Sequence, residues 1–284
     1  MVKRFWQEQY PLLFGLGLAC LIYYLSFGWQ TLDPRYIDWL VRGDIFGQFI
    51  GWEFFRRSDW FFPIADFTGP LAPIRHNLGF SGGMTLYAIV LRSFVPQSWF
   101  PFQVTGIFIF SCFLLNAVFA NLIAKQITKT HLQRFFLVGM TVITTFLMAR
   151  INHPSLNAQF LILAAIYLYI LVAQRKKFPH WRFYTLTIVT ASTEPYLLVS
   201  VFLVAIAAFV QRSVFEGAWL KMVAQVIGLC LANLFILYIQ GYFSYYDFPD
   251  RIDRLSFTLI KGTDLLAIFD FSASRTIHQF LGFK

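Results

Sequence analysis

The chain has 284 residues, of which 58% are hydrophobic and only 13% are charged. This balance excludes a water-soluble globular domain and predicts a polytopic membrane protein, in which most of the surface faces lipid. No nucleic-acid partner is expected, because the net charge of +9 is explained by short basic turns between apolar stretches.

The three cysteines indicate neither a disulfide framework nor a zinc site. Cys20, Cys112 and Cys230 all lie in apolar stretches, without CxxC spacing or a neighbouring histidine ligand. We therefore interpret them as packing residues.

Apolar stretches of membrane-spanning length follow one another along the chain. The first, 11–30, follows Lys3 and Arg4 and lacks a small-residue cleavage site, so it is predicted to be a signal anchor with a cytoplasmic N-terminus. Later spans are predicted at 102–124, 135–150, 155–173, 183–193, 195–210 and 219–240.

Two of these spans are unusually short. Residues 183–193 end at Glu194, and the following Pro195 favours a break over a continued helix. We therefore predict that 183–193 and 195–210 form a tight helical hairpin with Glu194 at its tip.

Residues 79–95 are apolar enough to be considered as another span, and the distribution of charge decides against it. If they crossed, the basic turns 125–134 and 174–182 would lie outside, against the tendency of Lys and Arg to stay cytoplasmic. If they lie in the membrane surface, the cytoplasmic turns hold eleven Lys or Arg and two Glu, which accounts for the whole net charge. We therefore predict a juxtamembrane helix over 79–95.

The loop after the first span contains a second predicted juxtamembrane helix. Residues 33–77 mix aromatic, acidic and basic side chains, which is typical of a membrane surface. From Asp44 the pattern predicts a helix with a broad apolar side. The opposite side is a narrow stripe of small and polar residues: Asp44, Gly47, Gln48 and Gly51. Asp44 begins this stripe at the helix N-terminus, where the helix dipole favours a carboxylate.

The predicted fold class is an all-α polytopic membrane protein with about seven transmembrane helices and two juxtamembrane helices in its first extracytoplasmic loop. We treat 1–284 as a single membrane domain. It consists of the loop 31–101, a helical bundle over 102–240 and an extracytoplasmic C-terminal segment over 241–284.

This topology gathers polar residues from three parts of the chain on the extracytoplasmic side. Ionisable groups at membrane depth are costly and tend to be functional or paired, although those in loops carry no such implication. The candidate site residues are Asp38, Asp44, Gln48, Arg56, Arg57, Arg75, His76, Asn152, His153 and Glu194.

Four of these candidates also have a structural explanation. Asp44 could cap a helix N-terminus. Arg56 and Arg57 could anchor the loop to lipid headgroups. His153, which precedes a proline, could be a turn residue that caps the next helix. Glu194 is harder to dismiss, because an acid at the tip of an apolar hairpin is expected to be partly desolvated.

The arrangement resembles the N-terminal module of the GT-C superfamily of integral membrane glycosyltransferases. The resemblance rests on the order of spans, on a GD motif in the first loop and on a basic residue before the second juxtamembrane helix. It is closest to a bacterial branch, with the segments GDIFGQFIGWEFFRRSDW (43–60), FQVTGIFIF (102–110) and HPSLNAQFLILAAIYLY (153–169). It covers nearly the whole chain, although each motif is short.

The resemblance implies roles for individual residues. Asp44 matches the loop aspartate that acts as general base toward the acceptor hydroxyl during inverting transfer. Arg75 matches the basic residue that neutralises the lipid-phosphate leaving group, with Arg56 and Arg57 as further candidates. His153 departs from the pattern, since many relatives have an acidic residue there. No metal ligand set and no cofactor are expected.

Three functions remain open from the sequence. The first is a transferase that moves a sugar from a polyprenyl-phosphate donor to a glycan, lipid or protein acceptor outside the bacterial cytoplasmic membrane. The second is a non-catalytic subunit or scaffold. Relatives continue with further spans where this chain stops, which leaves open a truncated product, a pseudoenzyme or one subunit that relies on a partner for the missing helices. The third is a transporter or flippase, for which the expected internal repeat is not visible.

Overall fold

The structure is a computed structural model that describes residues 2–69, 75–82, 84–143, 153–176 and 180–243, with side chains from residue 9 onward. The end of the predicted span 135–150, the candidate Asn152 and most of the predicted C-terminal segment 241–284 lie outside the described residues.

Nine α-helices occur in the described part of the chain. Their bounds are α1 Val2–Phe27, α2 Gly43–Arg57, α3 Thr85–Arg92, α4 Thr105–Ile127, α5 His131–Val142, α6 Phe160–Ala173, α7 Trp181–Thr193, α8 Pro195–Glu216 and α9 Trp219–Ile239. Short 3-10 turns precede α2, α3 and α6, the last of them at Pro154–Asn157.

Five of the helical segments are long and apolar enough to cross a membrane. They are 9–27, 105–127, 154–173, 195–216 and 219–239. The chain is therefore a helical, multi-pass membrane protein. Helix α7 has 13 residues, or about 20 Å at 1.5 Å per residue, which is less than the roughly 30 Å of a hydrocarbon core.

The first loop differs from the sequence prediction in two ways. The predicted helix over 79–95 is reduced to the eight residues of α3, which span about 12 Å and are too short to cross a membrane. The loop also contains a small antiparallel ribbon, β1 Asp66–Thr68 with β2 Arg75–Asn77. The prediction of an all-α chain missed this ribbon, because three-residue strands are too short to show a period of two.

Helix α4 lies at the centre of the bundle and packs against α1, α5 and α6. Small residues on it, including Ala117, Ala120 and Ala124, are buried, and such residues allow close approach between membrane helices. Near its start, Gly106 lies so close to the Thr31 carbonyl that a Cβ atom would overlap it. Tyr23 of α1 donates its hydroxyl to the Gly106 carbonyl at 3.1 Å.

Short connections give the bundle two ends of different character. Lys176 Nζ donates a hydrogen bond to Gln126 Oε1 at the end of α4 at 2.6 Å, which brings the turns after α4 and α6 together. We name this the basic end. The opposite end contains the first loop and Glu194, which alone joins α7 to α8. Because successive helices run in opposite directions, the first loop and Glu194 lie at the same end of the bundle.

The first loop is fixed to the end of α9. Buried Asn77 donates from Nδ2 to Asp66 Oδ1 at 2.6 Å and to the carbonyl of Gln240 at 2.6 Å. The amide of Ile64 donates to the carbonyl of Ile239 at 3.0 Å. The ribbon and the end of α9 therefore form one wall at this end of the bundle.

Candidate functional site

A cleft of about 810 Å³ opens at the first-loop end of the bundle. It is lined by the start of α2, the turn before α3, the turn before α6, the start of α8 and the segment that follows α9. The residues that line it are Gly43, Asp44, Gly47, Gln48, Gly79, Phe80, Ser81, Gly82, His153, Ser155, Leu156, Glu194, Pro195, Tyr196, Val199 and Tyr242.

Asp44 is the most accessible carboxylate in the cleft, with a side chain that is 72% exposed. It lies in the first turn of α2, whose N-cap position is Arg42 in an extended conformation, without a side-chain capping hydrogen bond. Asp44 is therefore not the N-cap of the helix. A negative charge at this place is favoured by the α2 dipole.

His153 lies next to Asp44 in the cleft. Its Nε2 lies 3.7 Å from Asp44 Oδ2, and its side chain is 49% exposed. This distance is too long for a hydrogen bond, yet short enough for an ion pair when the imidazole is protonated. The adjoining Pro154 begins the 3-10 turn that leads into α6, so the turn holds the imidazole at the cleft.

Glu194 is buried, with a relative exposure of 6%. Its Oε1 accepts the amide hydrogen of Tyr196 at 3.2 Å and caps α8, while Pro195 occupies the first helical turn. A carboxylate has more acceptor sites than this one bond uses. The expectation that Glu194 is desolvated at the hairpin tip agrees with this burial.

Tyr242 lines the cleft next to the turn before α3. Its ring packs against Phe80 with centroids 5.3 Å apart, and Gly79 lies so close beneath its hydroxyl that a Cβ atom there would overlap it. Burial raises the pKa of Tyr242 to about 12; the hydrogen bond with Thr85 opposes this shift, and the charge of Glu194 adds to it. The phenol is therefore a hydrogen-bond donor at neutral pH.

Residues 16–280 match the family described as Domain of unknown function (DUF6311). The chain belongs to this family. No curated protein and no solved structure matches it.

Four of the residues proposed from the sequence meet in the cleft: Asp44, Gln48, His153 and Glu194. They come from α2, from the turn before α6 and from the junction of α7 and α8. The stripe along α2 also faces this region, since its last member, Gly51, packs against the Ser81 side chain.

Arg56 does not line the cleft, and its environment explains it as a structural residue. Its side chain is 0% exposed and forms an ion pair with Glu53 Oε2 at 3.0 Å. It also donates to the carbonyls of Pro96 and Trp99. A guanidinium held in this way is not available to a phosphate, so we remove Arg56 from the candidate donor-binding residues.

Arg57 is also outside the cleft lining. It forms an ion pair with Glu53 Oε2 at 3.0 Å and its side chain is 39% exposed. Its guanidinium lies 4.4 Å from the centroid of the Phe100 ring. Arg57 therefore helps to hold the loop 94–102 against α2.

Arg75, Asp38 and His76 are in the first loop but do not line the cleft. Arg75 is exposed on β2, with its guanidinium 4.5 Å from the centroid of the Phe61 ring. Asp38 is exposed in a 3-10 turn before α2. His76 packs against Phe67, with ring centroids 5.8 Å apart.

Sequence reasoning missed Tyr242, Tyr196, Phe80 and Ser155. Tyr196 follows the proline at the start of α8, and Ser155 follows His153, so proximity to predicted site residues was a usable signal for both. Tyr242 depends on the contact between the end of α9 and the first loop, which no local pattern shows.

The described lining of the cleft combines acidic, aromatic and hydroxyl groups. It includes two carboxylates, one imidazole and three aromatic side chains, while no Lys or Arg is among these residues. Nor do the described residues bring three His, Cys, Asp or Glu side chains together as a metal site. Such a lining can accept protons and bind hydroxyl groups.

Proposed function

We propose that this DUF6311 protein is an inverting glycosyltransferase that moves a sugar from a polyprenyl-phosphate donor to an acceptor hydroxyl. The observation that carries the proposal is the position of Asp44, a solvent-accessible carboxylate in a cleft of about 810 Å³ at one end of a membrane bundle. A cleft at that place is accessible to a lipid-linked donor and to a water-soluble acceptor.

The proposed reaction is a single displacement with Asp44 as general base. Asp44 takes the proton of the acceptor hydroxyl while that oxygen forms a bond to the anomeric carbon from the face opposite the phosphate. The bond between the anomeric carbon and the phosphate oxygen breaks, and the lipid phosphate leaves with the electron pair. General-base assistance of this kind contributes roughly 10²- to 10⁴-fold in rate.

The leaving phosphate needs a positive partner. His153 lies beside Asp44 in the described cleft lining, and its imidazole, when protonated, can donate a hydrogen bond to the phosphate. Arg75 remains the proposed arginine partner. It is exposed on β2, three residues before the 3-10 turn that begins at Leu78 and whose Gly79 and C-cap Gly82 line the cleft, and charge-assisted hydrogen bonds from Arg to phosphate are strong.

The proposal includes a location and a direction. The polar cleft lies at the end of the bundle opposite the basic turns, and Lys and Arg prefer the cytoplasmic side. The cleft is accordingly assigned to the outer face of a bacterial cytoplasmic membrane. The acceptor there is a glycan, a lipid or a protein with a free hydroxyl, and the donor approaches from the lipid phase.

A non-catalytic membrane subunit is the second candidate. The observation that favours it is the composition of the cleft, where the described lining contains no Lys or Arg that could hold the leaving phosphate. In that case the same surface would bind a glycan or a lipid-linked sugar and present it to another protein.

Transfer by purified protein in liposomes separates the two candidates. We expect labelled sugar to pass from a polyprenyl-phosphate donor to a hydroxyl-bearing acceptor, with inversion at the anomeric carbon. If donor lipids bind but no sugar is transferred with any donor and acceptor pair, the transferase proposal is wrong and the binding subunit replaces it.

A further inference from the structure

One side of the cleft has features that the reaction step does not require. Tyr242, Glu194 and Tyr196 lie there together, and the charge of Glu194 is close enough to affect Tyr242. Neither the base nor the leaving phosphate needs these groups. Their chemistry therefore points to the part of the substrate that remains unchanged in the reaction.

Hydrogen bonding in this region suits sugar hydroxyl groups. Glu194 uses Oε1 to cap α8, and a carboxylate can accept further hydrogen bonds. The hydroxyl of Tyr242 is protonated at neutral pH, as an ordinary phenol is, and burial raises its pKa further, to about 12. An acceptor next to a donor can bind the adjacent hydroxyl groups of a pyranose ring.

Aromatic rings stand beside these polar groups. Phe80 packs against Tyr242 with ring centroids 5.3 Å apart, and Tyr196 is 82% exposed at the start of α8. An exposed aromatic face gives an apolar surface for the C–H face of a sugar ring, while its polar tip stays in water.

Charge in the cleft discriminates against anionic sugars. The described lining contains Asp44 and Glu194 but no Lys or Arg. A sugar carboxylate placed beside Glu194 would be repelled, and a buried like-charge contact of this kind is not screened as it is at the surface.

We propose that Glu194, Tyr242 and Tyr196 form a subsite for the hydroxyl groups of a neutral sugar, and that this subsite rejects sugars bearing a carboxylate. The inference rests on the proposed function, because it assigns the donor sugar to this side of the cleft. It adds a substrate class, the uncharged hexoses, and three residues that determine it.

The experiment measures binding of three lipids to the purified protein in nanodiscs. The lipids are polyprenyl phosphate, the same lipid carrying a neutral hexose, and the lipid carrying the matching uronic acid. We expect the wild type to bind the neutral glycolipid about tenfold more tightly than the uronic one. Equal affinity for the two glycolipids, with both binding, would overturn the subsite alone.

Two substitutions locate the effect. Tyr242→Phe keeps the ring against Phe80 but removes the hydroxyl, and should weaken binding of the neutral glycolipid about tenfold. Glu194→Gln keeps an oxygen for the Tyr196 amide and should reduce the preference for the neutral over the uronic glycolipid. The matched control is Tyr238→Phe, on the exposed side of α9, which should bind as the wild type does.

The outcomes distinguish the subsite from the proposed function. If none of the three lipids binds, the polyprenyl-phosphate donor is wrong and the subsite falls with it. If the lipids bind and Tyr242→Phe behaves like Tyr238→Phe, the subsite is wrong while the transferase proposal stands. An undiminished preference for the neutral sugar in Glu194→Gln would also overturn the role of Glu194.

Discussion

Two neighbouring arginines, Arg56 and Arg57, differ in their contribution because one is buried and the other is partly exposed. Arg56 is fully buried with Glu53 and the carbonyls of the loop 94–102, whereas Arg57 reaches the same carboxylate from the surface. Glu53 itself accepts the amide of Phe102 at 2.9 Å. The ion pair therefore fixes the loop between α3 and α4 to α2, the helix that carries Asp44.

Arg56→Ala should destabilise the protein far more than Arg57→Ala. Removing Arg56 breaks a buried ion pair, leaves Glu53 with only the partly exposed Arg57 as its cationic partner and removes the donor to the carbonyls of Pro96 and Trp99; breaking a buried pair typically costs about 3 to 5 kcal/mol. Loss of the partly exposed Arg57 should cost below about 1 kcal/mol. Unfolding of both variants in detergent measures the difference. Equal losses would show that the burial of Arg56 does not matter.

Asp66 should make stability depend on pH. Burial raises its pKa above the ordinary value of 3.8, and the hydrogen bond from Asn77 and the charge of Arg75 only partly oppose this. An acid with a raised folded-state pKa contributes stability that is fully present below the unfolded pKa and is lost as the pH rises through the folded-state value.

Asp66→Asn tests this contribution, because the amide resembles the protonated acid. Thermal unfolding between about pH 4 and pH 7 should show the wild type losing stability relative to the variant as the pH rises. Parallel curves for the two proteins would contradict the assigned sign. Asp38→Asn, at an exposed position, is the matched control for the substitution.

At the scale of the elements, close contacts decide which helices meet. Gly106 lets α4 approach the turn after α1, where Gln103 also donates to the Thr31 carbonyl at 2.7 Å. Gly79 plays the same part beneath Tyr242. These contacts place the first loop over the end of the bundle and so shape the cleft.

Gly106→Ala should disrupt the junction of α1 and α4. The added Cβ meets backbone, the Thr31 carbonyl, which cannot move aside as a side chain can, and overpacking typically costs about 1 to 3 kcal/mol. Gly17→Ala, where no atom lies within 4 Å of the new Cβ, should be neutral or slightly stabilising. Thermal unfolding of both variants checks this, and a similar loss at Gly17 would contradict the assignment of the cost at Gly106 to overlap with the Thr31 carbonyl.

The sequence predicted those features that depend on hydropathy, charge and proline. It predicted the start of α2 within one residue. It also predicted α7, its junction with α8 at Glu194, and the position of Asp44, His153 and Glu194 at one end of the bundle. It did not separate Arg56 from Arg57, which have the same local pattern. Nor did it find Tyr242 or the ribbon, because both depend on contacts between residues far apart in the chain.

At the scale of the whole molecule, the bundle has a basic end and a cleft end. Seven crossings, with the N-terminus inside and the C-terminus outside, remain the prediction from the charge distribution. Among the described residues, Gln126 and Lys176 meet at the basic end, while Asp44 and His153 meet at the cleft end.

Single cysteines at two exposed sites test the orientation. Gln97→Cys lies in the loop before α4, and Lys129→Cys lies in the turn between α4 and α5. A membrane-impermeant thiol reagent added to intact cells should label position 97 and leave position 129 unlabelled until the membrane is opened. The parent protein with its native cysteines sets the background. Labelling of position 129 from outside would show that the orientation is the reverse of the predicted one.

The transferase activity itself is tested most directly by Asp44→Asn. The substitution keeps the size of the side chain, and since Asp44 is not the N-cap of α2, folding should be unaffected. We expect sugar transfer to fall roughly 10²- to 10⁴-fold, while the matched variant Asp38→Asn, also exposed in the first loop, keeps the wild-type rate. An Asp44→Asn protein that transfers sugar as fast as the wild type would show that Asp44 is not the catalytic base.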